Sequence, residues 1–282
     1  MFGAKIGRGL LSLFALALSA QTNHADPETI IQGEVIKVTA EAAVASARMD
    51  GRSIPLFTQP DGGRTGLMPV PVLTRPGVYP LEFLDAGGAI LEKLSVTVLD
   101  AHYHRDNIAI APAISGLKPS PGEQETVGEF KRLDSDVRYW REPFQPPVPG
   151  CVTSPFGSMR FHNGKPTGDF HAGLDQRGAA GTPIHPVTAG VVKLVEKYNL
   201  RGGTVAIDHG QGVETIYLHM SAFNVKEGQH VTPDDVIGYV GSTGRATGPH
   251  VHWTLYVHGE AMNPGQWMTL KNCPAKPPVK TP

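Results

Sequence analysis

Apolar residues come in short runs along most of this chain, and glycine, proline and aspartate turns separate the runs. From Thr29 to Ala40 the apolar positions Ile30, Ile31, Val35, Ile36 and Val38 predict a strand. Further strands are expected over 54–58, 67–73, 78–84 and 89–99, with turns at Pro60-Asp61-Gly62-Gly63, Arg75-Pro76-Gly77 and Asp85-Ala86-Gly87-Gly88. That spacing suits a small antiparallel sandwich over 26–101. Residues 101–119 show no period. From Ser120 the period changes to three and four through Val127, Phe130, Leu133 and Val137, which predicts an amphipathic helix to about Tyr139. Ser120 is expected as its cap, with Pro121 at the first position and Glu123 three residues on. The run Pro143 to Gly150 ends the helix, so 102–149 reads as a linker. Strand patterns return over 184–195, 203–208, 213–219, 236–240 and 250–258, within a region spanning 150–270. Asp208-His209-Gly210-Gln211-Gly212 joins two of them as a hairpin. The chain therefore reads as mainly β: a sandwich-like N-terminal domain, a linker helix and an antiparallel-β domain. The segment 271–282, rich in proline and lysine, is expected to be a disordered tail.

Composition adds limits. The 282 residues are 40% hydrophobic and 18% charged, enough for a well-buried core. The 33 glycines and 25 prolines favour turns over long helices. A net charge of −1 gives no electrostatic footprint of a nucleic-acid partner. At the N-terminus, Lys5 and Arg8 precede an apolar run from Leu10 to Ala20, too short to span a bilayer. It matches a signal peptide over 1–25, so the body of the chain is expected to be exported, with no transmembrane segment after cleavage. Cys151 and Cys273 are the two cysteines, and in an oxidising compartment they could pair.

The candidate chemistry sits on histidines. His250 and His252 are two apart on an expected strand, so their imidazoles point the same way. Two other stretches could complete a site: His171-Ala172-Gly173-Leu174-Asp175 and Leu218-His219-Met220. Two imidazoles and one carboxylate, from His171, Asp175 and His252, would make a three-ligand zinc site with one position open for water. Such a site lowers the water's pKa from 15.7 to about 7. No HExxH helix is present to supply a glutamate base, so His219 and His250 would have to serve, in roles the sequence does not divide. A second HxH, His102-Tyr103-His104, has no comparable neighbours and reads as structural or solvated.

Taken in order, these motifs resemble the lysostaphin/LytM-type zinc metallopeptidases, metallopeptidase family twenty-three. The resemblance runs from Phe156-Gly157 and Asn163-Gly164 through His171-Ala172-Gly173-Leu174-Asp175, Gly181-Thr182-Pro183 and Ala189-Gly190-Val191-Val192. It continues with Asp208-His209-Gly210 and Tyr217-Leu218-His219-Met220-Ser221, and closes on Gly241-Ser242-Thr243-Gly244-Arg245-Ala246-Thr247-Gly248-Pro249-His250-Val251-His252-Trp253. Met220 and Val251 stand where leucine is usual, both as apolar exchanges. The resemblance implies that His171, Asp175 and His252 hold Zn2+, that His219 and His250 are catalytic, and that Asn163 lies beside the substrate groove. It also implies a zinc endopeptidase acting on the peptide cross-links of bacterial peptidoglycan, in the periplasm or cell envelope. The N-terminal module is similar to the β-domain that precedes such peptidases in Gram-negative bacteria, which favours the D-alanyl–diaminopimelate cross-link. The rival reading is a non-catalytic LytM-type module that activates cell-wall amidases; such modules lack ligands, and all five residues are present here.

Overall fold

The computed structural model describes residues 22–109 and 116–274. Most of the expected signal peptide, and the tail beyond Pro274, lie outside the described residues. No helix among the described residues is long and apolar enough to cross a membrane.

Strand residues dominate, as the short apolar runs between turns predict. In the N-terminal half a four-stranded sheet (His24–Asp26, Val35–Ala40, Arg64–Pro69, Phe57–Thr58) and a five-stranded sheet (Thr29–Ile31, Ile90–Leu99, Gly77–Leu84, Ser46–Met49, Arg52–Pro55) share one core. Ile36 and Val38 of the first meet Leu81, Phe83, Val96 and Val98 of the second, while Lys37 between them is exposed. The expected strand from Thr29 to Ala40 is two strands in different sheets, divided at Gly33. Gly33 has φ 84°, and a Cβ there would collide with the Tyr103 hydroxyl and, at 2.8 Å, with Phe156.

The C-terminal half is built on an antiparallel sheet that runs Val152–Ser154, Leu174–Arg177, His250–Val257, Val213–Met220, Gly202–Gly210, Gly190–Tyr198, His230–Val231. Gly202–Gly210 is buried at every position, because both faces of the sheet are covered. On one face Val205, Tyr217, Trp253 and Leu255 join the main core. On the other, Ala206, Ile216 and Tyr256 pack beneath Val127 and Phe130 of the helix Glu123–Phe130. A disulfide joins Cys151 to Cys273, at the two ends of this region. The halves are joined by hydrogen bonds in both directions between Val35 and the Gln266 amide, at 2.8 and 2.7 Å.

The helix is shorter than its sequence period suggests. It starts after Gly122, whose φ of 75° ends the preceding turn, and no side chain caps it. Ser120 does not cap because its hydroxyl accepts the Asn199 amide at 2.8 Å. Beyond Phe130 the chain leaves the helix to pair with the hairpin turn: the Gln211 amide donates to the Ser135 carbonyl and the Tyr139 amide to the His209 carbonyl. Val137 accordingly ends 53% exposed. The expected hairpin does form, between Gly202–Gly210 and Val213–Met220.

Glu214 in that hairpin is fully buried, and neither carboxylate oxygen has a hydrogen-bond partner among the described residues. Burial, reinforced by Asp208 opposite it and by Asp134, pushes its pKa up to about 9. Between the ordinary carboxylate range and about 9, the folded chain holds a proton that the unfolded chain has released. Stability therefore falls as pH rises through that window. Glu214→Gln is expected to raise the unfolding temperature at pH 8 and to lose most of that gain near pH 4; thermal melts at both pH values check it.

Candidate metal centre and groove

The strand His250–Val257 divides its residues by parity. Val251, Trp253, Leu255 and Val257 enter the core, whereas His250, His252, Thr254 and Tyr256 line a groove of about 680 Å³. Asp175 is the register partner of His252 on the neighbouring strand Leu174–Arg177, and His171 lies four residues before it. Gly173 lets the two strands approach: a Cβ there would meet the Trp253 carbonyl and, at 2.8 Å, His252 Nε2.

His219 reaches the same groove by another route. Strict alternation along Val213–Met220 would put it with Tyr217 on the core side. A bulge intervenes, since the register shifts between Gly203↔Met220 and Val205↔Tyr217. His219 adopts φ 62°, its side chain turns to the groove, and Met220 takes the core position.

Three atoms converge. Asp175 Oδ1 lies 2.9 Å from His252 Nδ1 and 3.2 Å from His171 Nε2, and those two nitrogens are 3.0 Å apart. His250 Nε2 is 3.7 Å from the same oxygen. Backbone carbonyls set the tautomers, because a carbonyl can only accept. His171 Nδ1–H donates to Pro155 at 3.0 Å, His219 Nδ1–H to Thr243 at 2.8 Å and His250 Nδ1–H to Gly248 at 2.8 Å. Each of these three rings therefore turns an unprotonated Nε2 inward. On the other ring edge, His252 Nε2 meets the Thr254 hydroxyl at 3.2 Å, and its Nδ1 faces the triangle.

The electrostatics match. Burial pushes His219 down to about 3, aided by the neighbouring His252 and His250, and pushes His252 down to about 4 against the pull of Asp175. For Asp175 burial acts upward, but the adjacent His171 and His252 outweigh it and hold the carboxyl well below its usual range. At neutral pH His219 and His252 are thus neutral and turn lone pairs toward the carboxylate. Acceptors this close repel one another unless a cation lies among them. Two imidazole nitrogens and a carboxylate oxygen are the donor set of a three-ligand metal site, and His171, Asp175 and His252 meet its spacing.

The remaining sequence candidates separate. Asn163 (φ 51°) and Gly164 (φ 81°) form the tight turn between Met159–His162 and Lys165–Phe170, where positive φ at both positions is required. The groove lining includes the neighbouring His162 rather than Asn163. His102 is exposed, and His104 contacts the Ser158 hydroxyl at 3.2 Å through Nε2; neither lines the groove. The sequence reading missed Thr243, which holds His219, and Arg160, Arg201 and Arg245, which line the groove. Thr243 stood within a quoted motif but carried no signal of its own, since it acts through its carbonyl.

The model of peptidase family M23 matches residues 169–264. The DD-carboxypeptidase/endopeptidase Mpg of Neisseria meningitidis is 42% identical over 120 residues, which cover 43% of this chain and 27% of that protein. The peptidoglycan DD-endopeptidase ShyA of Vibrio cholerae is 38% identical over 112 residues, covering 40% of this chain and 26% of ShyA. The chain thus spans roughly a quarter to a third of the length of the relatives it matches. A solved Pseudomonas aeruginosa protein, provisionally described as a peptidase M23, superposes with a TM-score of 0.64 at 27% identity. That likeness covers 84% of this chain and 93% of the other, so it extends well beyond the residues of the family model.

Proposed function

We propose that this chain, whose residues 169–264 match the model of peptidase family M23, is a zinc-dependent endopeptidase that hydrolyses the peptide cross-links of bacterial peptidoglycan. The observation that carries the reading is the convergence of five side chains on one groove: His171, Asp175 and His252 within 3.2 Å of one another, with His219 and His250 beside them. His171 Nε2, Asp175 Oδ1 and His252 Nδ1 would hold the ion. Bound there, zinc supplies a water of lowered pKa and a Lewis acid for the scissile carbonyl. The chain's own part is proton handling. The rings of His219 and His250 lie 5.0 Å apart, and each offers an unprotonated Nε2 to the groove. One of them accepts the proton of the attacking water at Nε2, and that protonated ring is the one able to steady the developing oxyanion before it releases the proton to the departing amine.

The D-alanyl–diaminopimelate cross-link is the proposed bond, in keeping with the DD-endopeptidase names of the relatives. On that reading the enzyme acts in the periplasm or cell envelope. The rival role, an amidase-activating module without catalysis, is disfavoured by the complete ligand set. Digestion of purified sacculi with and without a chelator decides between them. The expected result is chelator-sensitive release of fragments whose masses show a new D-alanyl carboxyl end and a new diaminopimelyl amine. Sacculi left intact by zinc-loaded protein would overturn the enzymatic reading.

A further inference from the structure

Asp106 lies outside the residues matched by the family model, on the strand Arg105–Ile108 that leads from the N-terminal half. That strand runs parallel to Met159–His162, with Asp106 in register with Arg160. Its Oδ2 accepts two hydrogen bonds, from Arg160 Nη1 at 2.7 Å and from the Ser154 hydroxyl at 3.0 Å. Each partner reaches one of the proposed metal ligands.

Through Arg160 the path leads to Asp175. The guanidinium, largely buried, places Nη2 3.9 Å from Asp175 Oδ2. A positive charge on the Oδ2 side turns Oδ1 toward the imidazoles. Through Ser154 the path leads to His171. Once the hydroxyl has given its hydrogen to Asp106, Oγ has lone pairs free to accept His171 Nδ1–H at 3.3 Å, alongside the Pro155 carbonyl. One carboxylate oxygen thus steers the rotation of one ligand and supports the ring orientation of another, whose tautomer the Pro155 carbonyl sets.

We propose that Asp106 is a positioning residue that orients His171, through Ser154, and Asp175, through Arg160, for metal binding. The inference rests on the metal-site reading above. Groups in this position tune affinity without touching the ion, and their loss typically costs about 10–100-fold in metal affinity. The connecting strand is accordingly part of the site.

Zinc affinity of the full chain, measured by chelator competition, tests this without recourse to activity. Asp106→Asn keeps the size but cannot accept both hydrogen bonds as an anion, and is expected to weaken zinc binding about tenfold or more. Ser154→Ala reads the His171 arm alone and should show a smaller loss. In the double variant the Ser154 effect should largely vanish, since that arm acts through Asp106. Metal-free unfolding temperatures monitor folding; if Asp106→Asn does not fold, the Ser154→Ala affinity decides. Affinities within twofold of the parent in both variants would overturn the inference. His252→Ala is run alongside: unchanged zinc affinity there would overturn the metal-site reading itself.

Discussion

His252→Ala is expected to lose bound zinc and peptide hydrolysis together, with kcat/KM falling by about a thousandfold or more, as the loss of several kcal/mol of charge stabilisation requires. His252 makes the two shortest sides of the triangle, 2.9 Å to Asp175 and 3.0 Å to His171. Without it two ligands remain, too few for a catalytic zinc site. The core should survive, because Val251 and Trp253 keep their places on the opposite side of the strand. Metal content by elemental analysis, read beside circular dichroism and turnover, separates loss of the ion from loss of the fold. A variant with full zinc and normal turnover would refute the assignment.

His219→Ala should behave differently. It is expected to keep zinc and lose about 10²–10⁴-fold in kcat, the usual contribution of a positioned acid or base. His219 stands outside the ligand triangle, with its Nδ1–H held by the Thr243 carbonyl. Its φ of 62° complicates the reading, since alanine in that region is strained by about 1–2 kcal/mol. His219→Asn removes the imidazole while tolerating the left-handed backbone. Both variants should lose the same activity, and asparagine should melt higher. Unchanged cleavage in either would remove His219 from the mechanism.

The sequence made the regular parts of this architecture legible. His250 and His252 share a face because their strand is unbroken, and apolar residues fill every intervening position. Of the five candidate site residues named by motif, four stand where simple periodicity or close spacing puts them. His219 reaches the groove for a reason the pattern does not contain. Alternation would have buried it beside Tyr217, and only the bulge opposite Thr204 turns it outward. Asp106 was invisible because Arg105-Asp106-Asn107-Ile108 has no strand period, and its parallel partner lies some fifty residues away. The helix was overextended for the converse reason: Leu133 and Val137 continue its spacing, but pairing with the hairpin turn recruits that segment instead.

The carbonyls behind the imidazoles have a further consequence for the proposed reaction. Pro155, Thr243 and Gly248 take the single ring hydrogen of His171, His219 and His250 and draw it away from the groove. These three rings therefore hold no hydrogen in store for the substrate. The one that reaches the departing amine must be the one taken from the attacking water, passed on within a single turnover. The groove behaves as a closed proton loop, and its readiness is set by tautomer, which the backbone fixes, before any change of net charge.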